Sequence, residues 1–496
     1  MEKIKSVLIS VFNKEGIDEL CKSLHQNNIQ IISTGGTKSH IEKLNIPVTS
    51  VESLTDYPSI LGGRVKTLHP KVFGAILSRT ENKSDLDDIN KYNISKVDMV
   101  IVDLYPFQKT VEQTRNENEI IEKIDIGGVS LIRAAAKNFS DVVIVSSKSQ
   151  YDETFTYLHE NNFSSDLNFR KRLAFEAFSQ VRKYDSEIEE YFGLSTGIYK
   201  KLRYGENPHQ EGIFKGDIND IFDQLNGKEL SYNNLLDVDS AIRLISEFSE
   251  PTFAILKHNN ACGIASSSNS SSSYSKAFDA DPLSAFGGVL IYNSTIDQSA
   301  AEKINNLFFE IIISPKYSEE SLEILKSKKN RIILLQKKNI SRKFISRDVL
   351  NGSLKQDYDD LTNDYKSWTL VTKKELSNSQ IQDLDFANKI VKHSKSNAIV
   401  LVKNKQMLSS GVGQTSRVDA LKFAIEKAKT FNFDLKGSMM ASDAFFPFPD
   451  CIEIASEAGI EGVVQPGGSI KDDLSINACD KLKISMYLTG TRHFYH

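Results

Sequence analysis

Short apolar runs alternate with stretches of helical periodicity along the first third of the chain. Ser6–Ser10 (SVLIS) predicts a strand, a helix follows over about Gly16–His25, and Ile29–Ile32 predicts a second strand. Met99–Val102 and Val142–Val145 are further apolar runs of strand length. Strands separated by helical segments predict an α/β domain with a parallel sheet and helices on both faces. A long amphipathic helix over about Phe169–Phe192 carries Leu173, Ala177, Phe178, Val181 and Ile188 on one side, where they read as core contacts. The pattern breaks at Gly193–Gly197, which places a first domain at 1–195.

The second half repeats the theme. Phe253–Leu256, Val289–Tyr292 and Ile311–Ile313 predict buried strands. Asn397–Val402 and Gln406–Ser410 predict a hairpin around Lys403–Lys405, Gly411–Arg417 opens a helix, and Ile484–Leu488 is a last strand. The run Ser266–Ser273 is low in complexity and predicts a flexible surface loop. Asn339–Asp364, polar and weakly periodic, reads as a connection, so two further domains are expected at 196–365 and 366–496.

A chain of 496 residues exceeds one core, and three domains of ordinary size are expected. The balance of 61 basic against 65 acidic residues argues against nucleic-acid binding, so any bound anion is held by local clusters. Cys21, Cys262, Cys451 and Cys479 are scattered without CxxC spacing, implying neither disulfides nor zinc. No apolar run spans a bilayer, and Met1–Ser6 does not read as a secretory signal. A cytoplasmic protein without membrane or nucleic-acid partners is expected.

The chemistry collects where strands end. In Ile255–Gly263 (ILKHNNACG) a buried strand gives way to Lys257, His258, Asn259 and Asn260. Ligands of open α/β sheets bind at such strand ends. An ammonium there can stabilise negative charge and an imidazole can carry protons. The same tetrapeptide also suits a strand-ending loop with a surface lysine. STGGT (Ser33–Thr37) after the second strand offers backbone N–H groups to an anion, or is merely a turn. GGRVKTLHP (Gly62–Pro70) gathers Arg64, Lys66, Thr67 and His69; an exposed basic loop has no need of the Thr and His. LYPF presents Tyr105, and Asp125 precedes Gly127 and a helix to Lys137, as helix cap, base or both. LRYGENPHQ (Leu202–Gln210) is too rich in Arg, Tyr, Asn and His for a plain linker, and reads as a site segment.

Taken together and in order, GGRVKTLHP, LYPF, IDIGGV with RAAAKN, LRYGENPHQ, LKHNNACG, GVGQTSR, SDAFFPF and QPGGSI resemble a family of bifunctional purine-biosynthesis enzymes. These join an inosine monophosphate (IMP) cyclohydrolase to an aminoimidazole carboxamide ribonucleotide (AICAR) formyltransferase. The resemblance runs through essentially the whole chain. It implies a methylglyoxal-synthase-like first domain and two cytidine-deaminase-like α/β subdomains. It assigns formyl transfer from 10-formyltetrahydrofolate to Lys257, His258 and Asn397. Arg203, Tyr204, His209, Gly287, Arg417 and Arg492 would hold the nucleotide, and Phe286, Glu310, Phe445 and Phe448 would face the folate. Asp occurs in the family at the position of Glu310. Ring closure of the formylated product (FAICAR) falls to Lys66, Tyr105, Asp125 and Lys137. Ser10, Ser33, Thr34, Gly35, Gly36, Thr37, Arg64, Thr67 and Gly127 would hold the substrate there. The resemblance further implies a homodimer with shared transferase sites, no redox or divalent-metal cofactor, and potassium at Asp443 in some members.

Two other classes compete. A nucleoside deaminase shares the implied second-half fold, but its zinc needs a His-x-Glu and a paired cysteine motif, and Cys262 has no cysteine partner three residues away. A non-enzymatic nucleotide sensor would use the first domain for binding alone; the set Lys66, Tyr105, Asp125 and Lys137 speaks for catalysis.

Overall fold

The computed structural model describes residues 3–362 and 364–496, which divide into two compact units with the junction between Gly197 and Ile198. Among the described residues of the first unit, five parallel strands pair in the order Thr49–Ser50, Gln30–Ser33, Ser6–Ser10, Met99–Val102, Val143–Val145. Their near-continuous Val, Ile and Leu content is that of strands covered on both faces. From the central Ser6–Ser10 strand the chain steps outward in one direction, then returns to Met99–Val102 on the other side. That reversal opens a crevice at the carboxyl ends of these two strands. The predicted long helix runs Leu167–Ser195, with Leu173, Ala177 and Val181 buried in the core.

The second unit is built on a twelve-stranded sheet among the described residues. Its centre is two hairpins set side by side: Thr252–Lys257 with Asn260–Ser266, and Ile399–Lys403 with Gln406–Gly411. The inner strands pair antiparallel, with Ala265 opposite Gln406. Outward from the first hairpin lie Val289–Tyr292, Ile311–Ser314, Ile332–Gln336 and Phe222–Asn226. Outward from the second lie Met439–Ser442, Gly462–Gln465, Ser485–Leu488 and Thr369–Leu370. Each set repeats one pattern: an antiparallel neighbour, two parallel strands, then an antiparallel edge. The two halves are thus copies of one α/β motif joined edge to edge.

Two expectations from the sequence are corrected. The Ser-rich run is not a flexible loop, because Ser270–Asp279 is a helix capped by the Asn269 side chain, and Ser270, Ser271 and Ser273 are buried. Serine is small enough for this helix to lie close over Gly263, where any side chain would overlap the Ala277 carbonyl. Burial against the sheet here outweighs weak helix propensity. The polar stretch 339–364 is more than a connection, since Phe344–Val349 and Gly352–Asp357 pair as a hairpin. Its residues are almost all exposed, so neither face needed an apolar alternation that a sequence reading detects.

The helix Arg417–Thr430 makes a similarly close approach at Gly411, where an added methyl would overlap the Ala420 carbonyl oxygen. Gly411→Ala is expected to destabilise the second unit by about 1–3 kcal/mol. Urea unfolding followed by the fluorescence of Trp368, the sole tryptophan and buried in this unit, measures it.

Candidate functional site

In the first unit the loops after Ser6–Ser10, Gln30–Ser33 and Met99–Val102 surround a cavity of about 740 Å³. Ser10, Thr34, Gly35, Gly36, Thr37, Arg64, Lys66, Thr67, Tyr105, Asp125 and Gly127, all expected from the sequence, line it. Lys66 lies across the glycine turn: a methyl on Gly63 would meet its Cε at 2.6 Å, and Gly63 has φ of +94°. The positive φ is what calls for glycine there. Thr37 Oγ1 donates to the Val11 carbonyl at 2.8 Å and accepts from the Val11 N–H at 3.1 Å, tying two of the loops together.

Asp125 sits just ahead of the helix Gly127–Lys137, and its Oδ1 accepts the Gly128 N–H at 2.6 Å. Its own N–H donates to the buried Tyr184 hydroxyl at 2.8 Å, and that hydroxyl donates to the Lys123 carbonyl at 2.7 Å. Burial raises the Asp125 carboxyl above the ordinary aspartate range, against the pull of the Gly128 and Tyr105 N–H groups. The Tyr105 phenol is likewise raised, first by burial and then by the charges of Asp125 and Asp103. It therefore stays protonated and able to donate. The Phe12 ring meets Tyr105 edge-on at 5.4 Å, and the Lys123 ammonium lies 5.5 and 5.4 Å from the two ring centroids.

Lys14, Asp103 and Lys123 also line this cavity and were not anticipated. Asp103 accepts the Asn13 N–H at 2.9 Å and Lys14 donates to the Phe12 carbonyl at 3.0 Å, so the pair folds the first loop over the strand end. Both follow strand ends in sequence, a position that marks such sites. Lys123 has no comparable signal.

Two expected residues lie elsewhere. Ser33 is fully buried, its hydroxyl spent on the Ile9 carbonyl at 2.7 Å. Lys137 ends the helix that Gly127 begins, about 15 Å away at 1.5 Å per residue, and lines cavities beside Phe139 and Asn138 instead.

In the second unit the strand pairing brings the expected residues other than Arg203, Tyr204 and His209 to one edge of the sheet. Lys257 ends its strand opposite Asn260, while Val289 and Ile311 begin theirs alongside Leu256 and one another, so Phe286, Gly287 and Glu310 precede strands at this edge. Gly411, Ile399, Ser442, Gln465 and Leu488 align across the other half, bringing Asn397, Arg417, Asp443, Phe445, Phe448 and Arg492 to the same edge.

Within that edge two clusters form. Lys257 Nζ donates to the carbonyls of Phe286 at 2.8 Å and Gly287 at 3.1 Å. Phe286 and Phe308, 62% and 48% exposed, stack with centroids 4.9 Å apart beside it and present an apolar platform. Glu310 is paired with Lys228 at 2.7 Å. Phe308 was missed, being one phenylalanine of two adjacent in sequence. His258 and Asn259 turn the hairpin with φ of 50° and 65°, and Asp237 accepts the Asn259 N–H at 2.7 Å. In the other cluster Arg417 donates to Asn397 Oδ1 at 2.8 Å, to Ser442 Oγ at 2.9 Å and to the Asp443 carboxylate. Asn397 Nδ2 donates to the Gln414 and Thr415 carbonyls. Lys471 covers the exposed Phe448 ring at 4.4 Å.

Phe286 and Phe445 precede or follow strands five places apart, about 24 Å at ~4.8 Å per strand. Arg203, Tyr204 and His209 sit on an exposed hairpin loop between Lys200–Lys201 and Ile213–Phe214, where Arg203 stacks on Tyr204 and donates to its hydroxyl at 2.8 Å. The chain by itself joins that loop to neither cluster among the described contacts. Nor do the described residues converge three or more His, Cys, Asp or Glu on a metal position. Among the described residues no helix is long and apolar enough to cross a membrane.

Comparison with known proteins matches the AICARFT/IMPCHase bienzyme family to residues 135–427 and an MGS-like domain to residues 16–130. The chain is 55% identical over 503 residues to the bifunctional purine biosynthesis protein PurH of Bacteroides thetaiotaomicron, covering 100% of this chain and 99% of that one. It is 44% identical over 508 residues to PurH of Aquifex aeolicus, covering 99% of each. The PurH of Acetivibrio thermocellus is 43% identical over 520 residues, covering 99% of this chain and all of its own.

The Arg417–Asp443 pair has side chains 7% and 0% exposed. Arg417→Ala is expected to cost about 3–5 kcal/mol, because it strands a buried carboxylate. Arg417→Ala combined with Asp443→Ala should recover part of that loss in the same urea titration.

Proposed function

The chain belongs to the AICARFT/IMPCHase bienzyme family, and from that membership we propose how its residues divide the work. It is a bifunctional enzyme of the last two steps of IMP synthesis, formyl transfer to AICAR and ring closure of the product. Membership sets aside the deaminase and sensor readings. We assign 1–195 to the cyclohydrolase and 196–365 with 366–496 to the two transferase subdomains.

The formyl donor is 10-formyltetrahydrofolate. The AICAR amine attacks the formyl carbon, the bond to the folate nitrogen breaks, and the amine proton passes through His258 to that leaving nitrogen. Lys257, at the same hairpin turn, stabilises the charge that develops on the formyl oxygen, and Asn397 orients it. The Phe286–Phe308 platform takes the flat pteridine, with Glu310 at its polar edge, and Arg417 and Arg492 take the nucleotide phosphate. The observation that carries this reading is the alignment of all these groups on one edge of the twelve-stranded sheet.

The gap of about 24 Å between Phe286 and Phe445 is too wide for one folate within one chain. The exposed Arg203, Tyr204 and His209 loop is likewise free to serve another chain. Both features support a homodimer whose transferase sites draw on two copies. Potassium has a fitting acceptor: Asp443 Oδ2 is buried without a hydrogen-bond partner, while Oδ1 is engaged. An ion held there would steady the Asn397–Arg417–Asp443 cluster. The small-molecule substrates of the family suit a cytoplasmic enzyme.

For ring closure, the carboxamide nitrogen of FAICAR attacks its own formyl carbon and water leaves. Asp125 takes the nitrogen proton, while Lys66 and the protonated Tyr105 stabilise the oxyanion. Gly35, Gly36, Thr37 and Thr67 hold the phosphate end, with Lys14 replacing Ser33 in that role. Because the reaction is intramolecular, positioning supplies much of the acceleration. Lys137 lies outside this cavity and is assigned no step within one chain.

Lys257→Ala is expected to abolish formyl transfer while leaving closure of supplied FAICAR intact. Lys66→Ala should let FAICAR accumulate from AICAR. Chromatography of the nucleotides distinguishes the two, and IMP formation by Lys257→Ala from AICAR would refute the assignment. Since the base works ionised and burial raises its pKa, the acid limb of ring closure should lie above the ordinary aspartate value of about 3.9. Rates on FAICAR alone, measured against pH, check it; Asp125→Asn should remove the limb together with the activity.

A further inference from the structure

The carboxyl-terminal segment Arg492–His496 packs into the second unit rather than trailing from it. His493 N–H donates to the Asp443 carbonyl at 3.2 Å, and its Nδ1 pairs with Asp359 at 2.7 Å. Two residues on, Tyr495 exchanges a reciprocal pair of hydrogen bonds with Ser396. The Ser396 N–H donates to the Tyr495 carbonyl at 2.9 Å, and the Tyr495 N–H donates to Ser396 Oγ at 3.0 Å. Ser396 immediately precedes Asn397.

The Tyr495 ring is held from two sides. The Lys395 ammonium lies 4.0 Å from its centroid and the Arg243 guanidinium 5.1 Å from it, and Arg243 also donates to the phenol oxygen at 2.8 Å. Lys395 Nζ donates to the His496 carbonyl at 3.0 Å as well. Arg243 comes from the helix Tyr232–Ile245, which also supplies Ser240 to Asn259 at 3.2 Å and Asp237 to the same turn. The Lys395 N–H in turn donates to Asn260 Oδ1 at 3.1 Å. One helix, one hairpin turn and the chain terminus therefore converge on the three residues Lys395, Ser396 and Asn397.

We infer that Tyr495 is a positioning residue for formyl transfer: its ring, clasped between Arg243 and Lys395, fixes the backbone from which Asn397 reaches the formyl group. The inference rests on the role of Asn397 proposed above. A flat aromatic face attracts two cations at once, which an aliphatic side chain of equal size does not. The two hydrogen bonds with Ser396 then transmit the ring's position to Asn397. Arg417 fixes the Asn397 side chain independently, so the ring sets where the amide stands rather than which way it points.

The test uses the full-length enzyme and compares Tyr495→Ala, Tyr495→Leu, Tyr495→Phe and Asn397→Ala. Formyl transfer is measured with AICAR and 10-formyltetrahydrofolate, and ring closure with supplied FAICAR serves as an internal control in the other unit. Tyr495→Ala and Tyr495→Leu are expected to lower the kcat of formyl transfer roughly tenfold, about 1.4 kcal/mol, with the KM for AICAR within about twofold of the parent. Tyr495→Phe, which keeps the ring face, should restore kcat to within about threefold. Ring closure should be unchanged in all three, and each variant should still unfold in one cooperative transition in the urea titration. Formyl transfer by Tyr495→Ala within about twofold of the parent, beside an inactive Asn397→Ala, overturns the inference alone. Rescue by leucine equal to that by phenylalanine also overturns it, since packing would then suffice. Full activity in Asn397→Ala overturns both the inference and the role of Asn397 on which it rests.

Discussion

The second unit depends on one antiparallel pairing, that of Asn260–Ser266 with Gln406–Gly411. Each inner strand belongs to a hairpin that already has its own outer neighbours. Pairing the two makes a single sheet from two copies of one motif. Because the pairing is antiparallel, the hairpin turn of the first copy falls beside the carboxyl ends of the second copy's parallel strands. Lys257 and His258 come from that turn, Asp443 and Arg492 follow those ends, and Arg417 follows the carboxyl end of Gln406–Gly411 at the same edge. A parallel pairing would have put the turn at the opposite edge and separated the same residues by the length of a strand.

The edge so formed is held by groups that do not themselves face a substrate. Asp237 and Ser240 fix the turn at Asn259, and Asp383 accepts the Asn404 and Lys405 N–H groups at the equivalent turn of the second copy. The recurrence of an aspartate clamp on both hairpins shows that it belongs to the motif rather than to the chemistry. What differs is what the turns carry: His258 and Asn259 in one, Asn404 and Lys405 in the other. Lys405 is tied to Glu250 at 2.6 Å, whereas Lys257 meets only backbone carbonyls and remains available to an anionic oxygen.

In the first unit the organising constraint is the crevice where the strand order reverses. There a glycine turn, a lysine laid across it, a buried carboxyl and a protonated phenol meet within one cavity. Burial raises both acids by removing water, and the same loss of water strengthens each hydrogen bond aimed at a developing charge. Tyr184, far along the chain on the long helix, secures the loop that carries Asp125.

The sequence by itself determined the longer strands of the first unit, several strands of the second and the long helix Leu167–Ser195, because apolar residues at periods of two or 3.6 report burial directly. It also supplied the candidate site residues Lys66, Tyr105, Asp125, Lys257 and His258, of which Tyr105, Lys257 and His258 lie at strand ends. It failed where burial is not written as apolarity: the serine helix Ser270–Asp279 and the exposed hairpin Phe344–Asp357. Tertiary structure alone decided that Lys14 and Asp103 enter the first cavity while Ser33 and Lys137 do not. It alone decided which strand edges coincide, and so which distant motifs become neighbours. Local periodicity fixes which face of an element is buried, but the register between elements depends on backbone pairing and close packing among residues hundreds of positions apart.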